Sequence, residues 1–294
     1  MVSAATLPCP DTIAPCPDKA LIVTAGRSLI LSTMTDHPQS TVASSHVSRL
    51  PQGVWDEAFD FIRTIGVALL AAVAIQTVLF QPFTIPSSSM EPGLVTGDYI
   101  VVRKFAYGWS RASLPFHPPI GSGRLLGRSP ARGDVMVFRL PRDPQATWVK
   151  RVIGLPGDRI QVLGGTVLIN GRVMPRRAEG LTQDHDSPLR TVLQVRETQP
   201  DGRTWVTFDG GPGQPGDDTG EYVVPAGQYF MMGDNRDNSL DSRWPSELGV
   251  GLLPAENIVG KAELVVASWK PGAALWKPWT WLNLQPGRFF QRIG

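Results

Sequence analysis

Cysteine and histidine are scarce in this sequence of 294 residues, and their scarcity removes several classes of site. The two cysteines, Cys9 and Cys16, lie so close together that a bridge between them would close only a small loop, which adds little stability. No C-x-x-C pair or Cys/His cluster occurs, so the sequence gives no sign of a metal site, and we expect no cofactor. The four histidines are isolated, and none lies in a sequence context typical of a Ser-His-Asp triad.

Charged residues make up only 18% of the chain, and the formal net charge is +2. The 28 basic residues are scattered and form no long run. Because nucleic-acid-binding domains carry a concentrated basic patch, we expect no nucleic-acid partner.

Glycine and proline are abundant, with 30 and 27 residues. Short apolar runs bounded by turn residues, such as DYIVVRKF and GDVMVFRLP, predict β-strands. The segment RIQVLGGTVLINGRVM places a Gly-Gly and an Asn-Gly pair between such runs, which is a strong signature of consecutive hairpins. The sequence therefore predicts a mainly β protein with antiparallel sheets and a long loop at 210–220.

One segment is free of ionisable side chains for 27 residues, from Thr64 to Met90. Its first part, 64–83, would span about 30 Å as a helix, which is the thickness of the hydrocarbon core of a bilayer. We expect Pro82 to end this transmembrane helix. The alternative is a buried core helix, which the apolar character on every face disfavours. Residues 1–54 are predicted to be a disordered extension, with Met34 as an alternative translation start.

Three consecutive serines follow the apolar segment in IPSSSMEPGL, and the simplest interpretation is an ordinary turn. A serine hydroxyl becomes a nucleophile only beside a base, and without a histidine motif that base would be a neutral lysine. The pKa of a lysine is ordinarily about 10.4, so such a lysine must be buried among apolar residues. Lys150, in ATWVKRVIGLPGD, fits best, although a strand lysine that points to water is the alternative. Lys104 follows Arg103 and is expected to be solvated.

Four segments of this chain resemble, in order, the four conserved blocks of bacterial type I signal peptidases (leader peptidases), which are membrane-bound Ser/Lys endopeptidases. They are IPSSSMEPGLVTGDYIVVRKFAYG, RGDVMVFRLP, WVKRVIGLPGDRI and MMGDNRDNSLDSRW. The resemblance covers about 55–266. The segment after the last block, PSELGVGLLPAENIVG, is longer than is usual in the family, and only one convincing span is present where some relatives have two.

The resemblance implies a role for most of the polar residues in these blocks. Ser89 matches the nucleophile and Lys150 the general base, while the Ser87 hydroxyl and the Ser89 backbone N–H match an oxyanion hole. Ser88 has no chemical role in this scheme. Ser239 matches a serine that orients the lysine amine.

Two further sets of residues follow from the same resemblance. Asp241 and Arg243 match a supporting ion pair, with a solvated turn pair as the alternative, and 234–237 are expected to fix a turn. The family cleaves signal peptides after small residues at the first and third positions before the scissile bond, so shallow apolar pockets are expected. The predicted wall residues, for which ordinary β-core is the alternative, are Phe83, Ile85, Leu94, Trp148 and Val149.

The resulting expectation is a membrane anchor at 55–83, a catalytic β domain from 84–158 and 229–268, and a smaller inserted β domain at 159–228. The tail, 269–294, is expected either to contact the membrane interface or to pack on the β domain. Its tryptophans and basic residues are Trp269, Trp276, Trp279, Trp281, Lys270, Lys277, Arg288 and Arg292.

The implied partners are signal-peptide-bearing preproteins and membrane phospholipid. The implied location is the bacterial cytoplasmic membrane, crossed once, with the catalytic domain on the extracytoplasmic (periplasmic) side. Two alternatives remain at this stage. A self-cleaving repressor peptidase would need a DNA-binding helix-turn-helix, which the N-terminus does not offer. A membrane-anchored β scaffold without enzymatic activity is the other.

Overall fold

The computed structural model describes residues 52–113, 123–185, 187–270, 272–273 and 277–294. These residues form one long helix, α1 (Gln52–Val78), and fifteen β-strands. The strands are β1 (Phe80–Thr84), β2 (Asp98–Arg103), β3 (Val135–Leu140), β4 (Asp143–Gly154), β5 (Arg159–Leu163), β6 (Thr166–Ile169), β7 (Arg172–Val173), β8 (Arg176–Gln183), β9 (Thr191–Thr198), β10 (Thr204–Asp209), β11 (Tyr222–Val223), β12 (Gln228–Met232), β13 (Leu252–Pro254), β14 (Ile258–Ser268) and β15 (Gln291–Arg292).

The strands make one large sheet and two smaller ones. In the large sheet the order is β1-β2-β14-β3-β4-β12-β13, and β15 pairs with β14. The smaller sheets have the orders β10-β9-β8 and β11-β5-β6-β7, and both lie within residues 159–223. Neighbouring strands are antiparallel in every one of these pairings, which confirms the predicted mainly β class. The domain boundaries stay predictions.

The helix α1 contains a segment, Trp55–Val78, that is long and apolar enough to cross a membrane. None of the most apolar part of this segment is buried, which argues against a core helix of a soluble protein. The predicted extension, 1–54, lies outside the described residues except for its last three, which belong to the first turn of α1.

The helix ends four residues before Pro82, so the predicted end of the span is wrong. β1 begins at Phe80 and pairs with β2 from Phe80↔Arg103 to Thr84↔Tyr99, and this pairing supplies hydrogen-bond partners for a backbone that has left the helix. β1 is an edge strand of the large sheet, where a proline without an N–H is tolerated. The apolar run is therefore part membrane helix and part sheet.

The two predicted hairpin turns are present between β5, β6 and β7. Gly164 and Gly165 have φ angles of 52° and 73°, and Asn170 and Gly171 have 54° and 74°. Two successive residues in the left-handed region are what a two-residue hairpin of the primed type requires. Strand β8 had no sequence signal, because nearly all of its side chains are exposed and its apolar residues do not alternate.

The large sheet meets the four-stranded sheet at Gly154, the last residue of β4. Phe230 and Ile160 are buried in the shared core on either side of it. A Cβ atom added to Gly154 would lie 2.7 Å from Phe230 Cβ and 2.8 Å from Ile160 Cγ1. Only glycine allows the two sheets to approach this closely.

The tail packs on the large sheet, which is the alternative placement predicted for it. Trp269 meets Tyr99 edge to face with 4.7 Å between ring centroids, and the Arg288 guanidinium pairs with the buried Asp98 carboxylate. Trp276 lies outside the described residues. Trp279 and Trp281 are exposed, so contact of these rings with a membrane interface stays a prediction.

We expect Gly154→Ala to lower the free energy of unfolding by about 1–3 kcal/mol, since the added methyl group overpacks the junction between the sheets. Urea denaturation of the detergent-solubilised protein measures the change. The matched control is Gly220→Ala, where an added Cβ meets nothing within 4 Å and the expected change is below about 0.5 kcal/mol. Equal stability of the two variants would contradict the close packing at Gly154.

Candidate active site

The three serines form a tight turn directly after β1. Ser88–Met90 is a short 3-10 turn, and the side chains of Ser88 and Met90 are buried. Asn238 Nδ2 donates a hydrogen bond to Ser88 Oγ at 2.9 Å. Ser88 therefore anchors the turn, while Ser87 and Ser89 line the adjacent cleft with their hydroxyl oxygens 3.5 Å apart.

Lys150 lies on β4, the strand between β3 and β12 in the large sheet. Its Nζ donates a hydrogen bond to Ser89 Oγ at 2.5 Å. Only 3% of the residue is exposed, which excludes the alternative of a strand lysine that points to water. The structure thus brings together the serine and the lysine that the sequence singled out, from positions 61 residues apart.

Burial sets the protonation of this lysine. Loss of hydration lowers the pKa of Lys150 from 10.5 to about 8, although the nearby Asp241 and Asp234 carboxylates favour the ammonium form. The Arg243 guanidinium acts in the same direction as burial, because a neighbouring positive charge disfavours a second one. The amine is therefore poised much closer to neutrality than an exposed lysine.

Asp241 and Arg243 form a buried ion pair beside the lysine. Asp241 Oδ2 lies 2.9 Å from Arg243 Nη2, and the two side chains are 0% and 2% exposed. Asp241 also accepts a hydrogen bond from the Gly233 backbone N–H at 3.0 Å. Burial raises the pKa of Asp241, but the Arg243 guanidinium, the Gly233 N–H and the Lys150 charge together outweigh burial and hold that pKa below its ordinary value. The alternative of a solvated turn pair is wrong, since these groups are enclosed.

Ser239 is in the cleft, but not in the predicted contact. Its hydroxyl is buried and has no hydrogen-bond partner among the described residues, and it lies against Gly233. The expected hydrogen bond to the Lys150 amine is not formed in this structure. An orienting role for Ser239 stays a prediction.

The cleft around the Ser89 hydroxyl has a volume of about 680 Å³. Four of the five predicted wall residues line it: Phe83, Ile85, Trp148 and Val149. Leu94 does not; it is fully buried in the core with Ile85 and Met90, because the turn after the serines directs it under the sheet. This placement corrects the prediction for Leu94.

Several residues that line the cleft were not predicted from the sequence, among them Leu240, Trp244 and Pro215. Leu240 and Trp244 lie in the MMGDNRDNSLDSRW block, and their apolar side chains within a polar motif were a usable signal. Pro215 comes from the long loop at 210–220, and no local pattern in the sequence indicates that this loop reaches the cleft. Trp148 also holds its ring 5.6 Å from Lys150 Nζ, within reach of a cation–π contact.

Buried ion pairs fix the turn 234–237 next to the lysine strand. Arg151 forms two hydrogen bonds of 2.7 Å with the Asp234 carboxylate, and both side chains are almost fully enclosed. Arg236 pairs with the buried Glu197 of β9 in the same two-pronged manner. The turn-fixing role predicted for these residues agrees with the contacts, whereas neither partner, Arg151 or Glu197, was predicted.

Across the described ranges, no group of three or more His, Cys, Asp or Glu side chains is arranged to hold a metal ion.

The sequence of this chain is similar to those of known signal peptidases. The family model described as "Signal peptidase, peptidase S26" matches residues 58–269. Signal peptidase I of Rickettsia typhi (strain ATCC VR-144 / Wilmington) is 40% identical over 207 residues, which are 68% of this chain and 76% of that protein. Signal peptidase I of Rickettsia canadensis (strain McKiel) is 37% identical over 216 residues, or 71% and 79% of the two chains.

Among solved structures, a signal peptidase I from Enterococcus faecalis V583 matches with 24% identity and a TM-score of 0.27, covering 46% of this chain and 97% of that one. The family model spans well over half of the present chain, and the rickettsial relatives match it over two thirds or more of their own length. The chain therefore belongs to the signal peptidase family, peptidase S26.

Proposed function

We propose that this protein is an endopeptidase that removes N-terminal signal peptides from exported preproteins, with Ser89 as nucleophile and Lys150 as general base. The observation that carries the proposal is the 2.5 Å contact between Lys150 Nζ and Ser89 Oγ, made by a buried lysine at the floor of a cleft. Family membership supports the peptidase activity. The dyad and the choice of cleavage site are inferred from the contacts of Ser89 and Lys150 and from the residues that line the cleft.

The lowered pKa of Lys150 makes proton transfer feasible near neutral pH. With a pKa of about 8, about a tenth of the amine is neutral at pH 7, against about 0.03% for a pKa of 10.5. The neutral amine takes the proton of Ser89 as Oγ attacks the scissile carbonyl carbon. Burial thus increases the reactive population about 300-fold without any change in the serine.

The tetrahedral intermediate needs donors aimed at its oxyanion. The Ser89 backbone N–H lies in the first turn of the short 3-10 helix, where N–H groups have no acceptor within the helix. The Ser87 hydroxyl is on the same side of the cleft, 3.5 Å from the nucleophile oxygen. These two groups are the proposed oxyanion hole.

Collapse of the intermediate breaks the peptide bond and leaves an acyl group on Ser89. The departing amine takes the proton held by the Lys150 ammonium, which returns the lysine to its neutral form. A water molecule then attacks the acyl carbonyl and transfers a proton to the Lys150 amine. Collapse of this second intermediate breaks the bond between the acyl carbon and Ser89 Oγ, and the Lys150 ammonium returns its proton to that oxygen. The cleaved signal peptide leaves with a new carboxyl group, and no cofactor is required in this scheme.

The shape of the cleft supports a preference for small side chains, as in A-x-A sites. Phe83, Ile85, Trp148 and Val149 line the wall beside Ser89. Bulky side chains that already fill the wall reject a substrate residue of similar size because the two would overlap. Signal-peptide-bearing preproteins are the proposed substrates.

The proposed location is the bacterial cytoplasmic membrane, with a single span and the β domain on the extracytoplasmic side. The span Trp55–Val78 is followed after one residue by β1, and the serine turn follows β1 directly. This short connection supports an active site close to the membrane surface, in contact with phospholipid, where exported preproteins emerge.

We expect Ser89→Ala and Lys150→Ala each to reduce precursor cleavage by at least about 1,000-fold, because either change removes the nucleophile or its base. The measurement is mass spectrometry of a precursor incubated with the detergent-solubilised variant. The double variant should be no slower than the slower single variant, since the two groups act as one unit.

The matched control for the dyad is Ser88→Ala, which removes a neighbouring hydroxyl that bonds to Asn238 rather than to the lysine. We expect it to retain cleavage within about tenfold, the range of a lost structural hydrogen bond. Near-normal turnover by Ser89→Ala or by Lys150→Ala would refute the dyad.

The pH dependence of kcat/KM should contain an ascending limb centred near the Lys150 pKa of about 8. Below this pH the amine is protonated and cannot accept the serine proton; above it the amine is neutral and the rate levels off. Asp241→Asn removes a carboxylate that favours the ammonium form and leaves Arg243 unopposed, so the limb should move to lower pH. The measurement is the pH–rate profile on a precursor peptide in detergent; an absent limb, or one that moves upward, would assign the base elsewhere.

Protease added to right-side-out spheroplasts should digest the chain beyond Pro86 and leave an N-terminal tag ahead of Trp55 protected. The expectation follows from the proposed orientation of α1. Immunoblotting against the tag and against the C-terminus reports the two sides. A β domain that resists digestion until the membrane is lysed would mean the opposite orientation.

A further inference from the structure

The end of the membrane helix is hydrogen-bonded to the catalytic domain at three consecutive carbonyls. Lys104 Nζ donates to the Thr77 carbonyl at 2.9 Å, and Trp109 Nε1 donates to the Val78 carbonyl at 2.8 Å. The backbone N–H of Lys104 donates to the Leu79 carbonyl at 2.9 Å. We name these contacts, which Lys104 and Trp109 make, the helix-end clamp.

The donors of the helix-end clamp take the place of the water molecules that would otherwise hydrogen-bond to the carbonyls at the end of α1. The last four carbonyls of an α-helix have no partner within the helix. Lys104 is only 3% exposed, contrary to the solvated position expected from the sequence. Loss of hydration lowers the pKa of Lys104, and the Arg139 guanidinium adds to this effect. A lysine stem enclosed in this way has little freedom to release the carbonyl.

Neighbouring contacts restrict the movement of α1 relative to the large sheet. Leu79 is the sole residue between α1 and β1. Phe80 then packs edge to face on Phe105 with 5.6 Å between ring centroids. Backbone hydrogen bonds of 3.0 and 2.8 Å join Trp109 to Leu125 in both directions, which hold the indole in place. The membrane helix thus continues into the large sheet without a flexible linker.

We propose that Lys104 and Trp109 are positioning residues that hold Ser89 at a fixed height above the membrane, so that cleavage of a membrane-embedded precursor depends on them while cleavage of a soluble peptide does not. This inference rests on the proposed function. Ser89 lies in the turn that follows β1, so its height above the membrane depends on how α1 joins the sheet.

The physical reason is alignment between two molecules in one bilayer. A precursor whose own apolar segment lies in the membrane presents its scissile bond at a height that its helix dictates. If the catalytic domain can tilt on its anchor, the productive alignment becomes rarer, and misplacement by about 1 Å can already cost a large part of the rate. A free peptide diffuses into the cleft in any orientation and is indifferent to that tilt.

The test uses the full chain reconstituted in liposomes, with two substrates. One is a complete precursor embedded in the same vesicles, and the other is a short soluble peptide that spans its cleavage site. Lys104→Met keeps the length of the side chain and removes its donor, while Trp109→Phe removes only the indole N–H and part of the ring. For the double variant we expect kcat/KM on the embedded precursor to fall about tenfold, with less than about a twofold change on the peptide.

The matched control is Arg177→Met, which removes an exposed cation on β8 of a smaller sheet. It should leave both rates unchanged. A fall confined to the embedded precursor for both single variants supports the clamp. An equal fall in kcat/KM on both substrates overturns the proposal, because the residues would then contribute to folding alone. No fall on either substrate also overturns it, because the residues would then have no effect on cleavage. A wild-type protein that cleaves neither substrate would instead remove the proposed function itself.

Discussion

The desolvation of a single lysine is the constraint around which the rest of the site is arranged. An ammonium group in an apolar sheet is unstable, and Lys150 responds with a pKa lowered to about 8. The neighbouring carboxylates limit how far the pKa of Lys150 falls. Asp241 and Asp234 pull toward the charged form, yet each is itself paired with an arginine, so neither acts as a free counterion for the lysine. The result is an amine that is neither a permanent cation nor a permanently neutral base.

Those two ion pairs also explain why the site tolerates so much buried charge. A carboxylate enclosed without a partner would be strongly destabilising, whereas a two-pronged contact with a guanidinium satisfies both oxygens. Arg151 is adjacent to Lys150 on β4, so the strand that carries the proposed base also fixes the turn at Asp234. The same side chains therefore contribute to the stability of the fold and to the pKa of Lys150, so a substitution that changes one of these properties also changes the other.

Local patterns in the sequence predicted the strands, the two hairpin turns and Lys150 as the candidate base, because alternation, Gly-Gly and Asn-Gly pairs and a lysine among apolar residues are all short-range signals. The choice of Ser89 among the three serines came from the resemblance to signal peptidases. They were insufficient where tertiary pairing decides. The residues after Val78 were predicted to continue the membrane helix, because the sequence alone does not show that they pair with β2. Leu94 read as a pocket wall, but the path of the turn places it in the core. Lys104 read as solvated, since nothing in its neighbourhood reveals a helix end 27 residues earlier in the chain.

The position of β14 in the large sheet has a consequence for biosynthesis. β14 lies between β2 and β3, although it follows them by more than a hundred residues in the chain. The serine turn lies on the β1–β2 side of this strand and Lys150 on the β3–β4 side, so β14 joins the two halves within the large sheet. Pairings of such long sequence separation form late and slowly. A nascent chain that ends before β14 therefore lacks the strand that joins the two halves, and the contact between Ser89 and Lys150 is held in a complete sheet only once the last strands of the domain have been made.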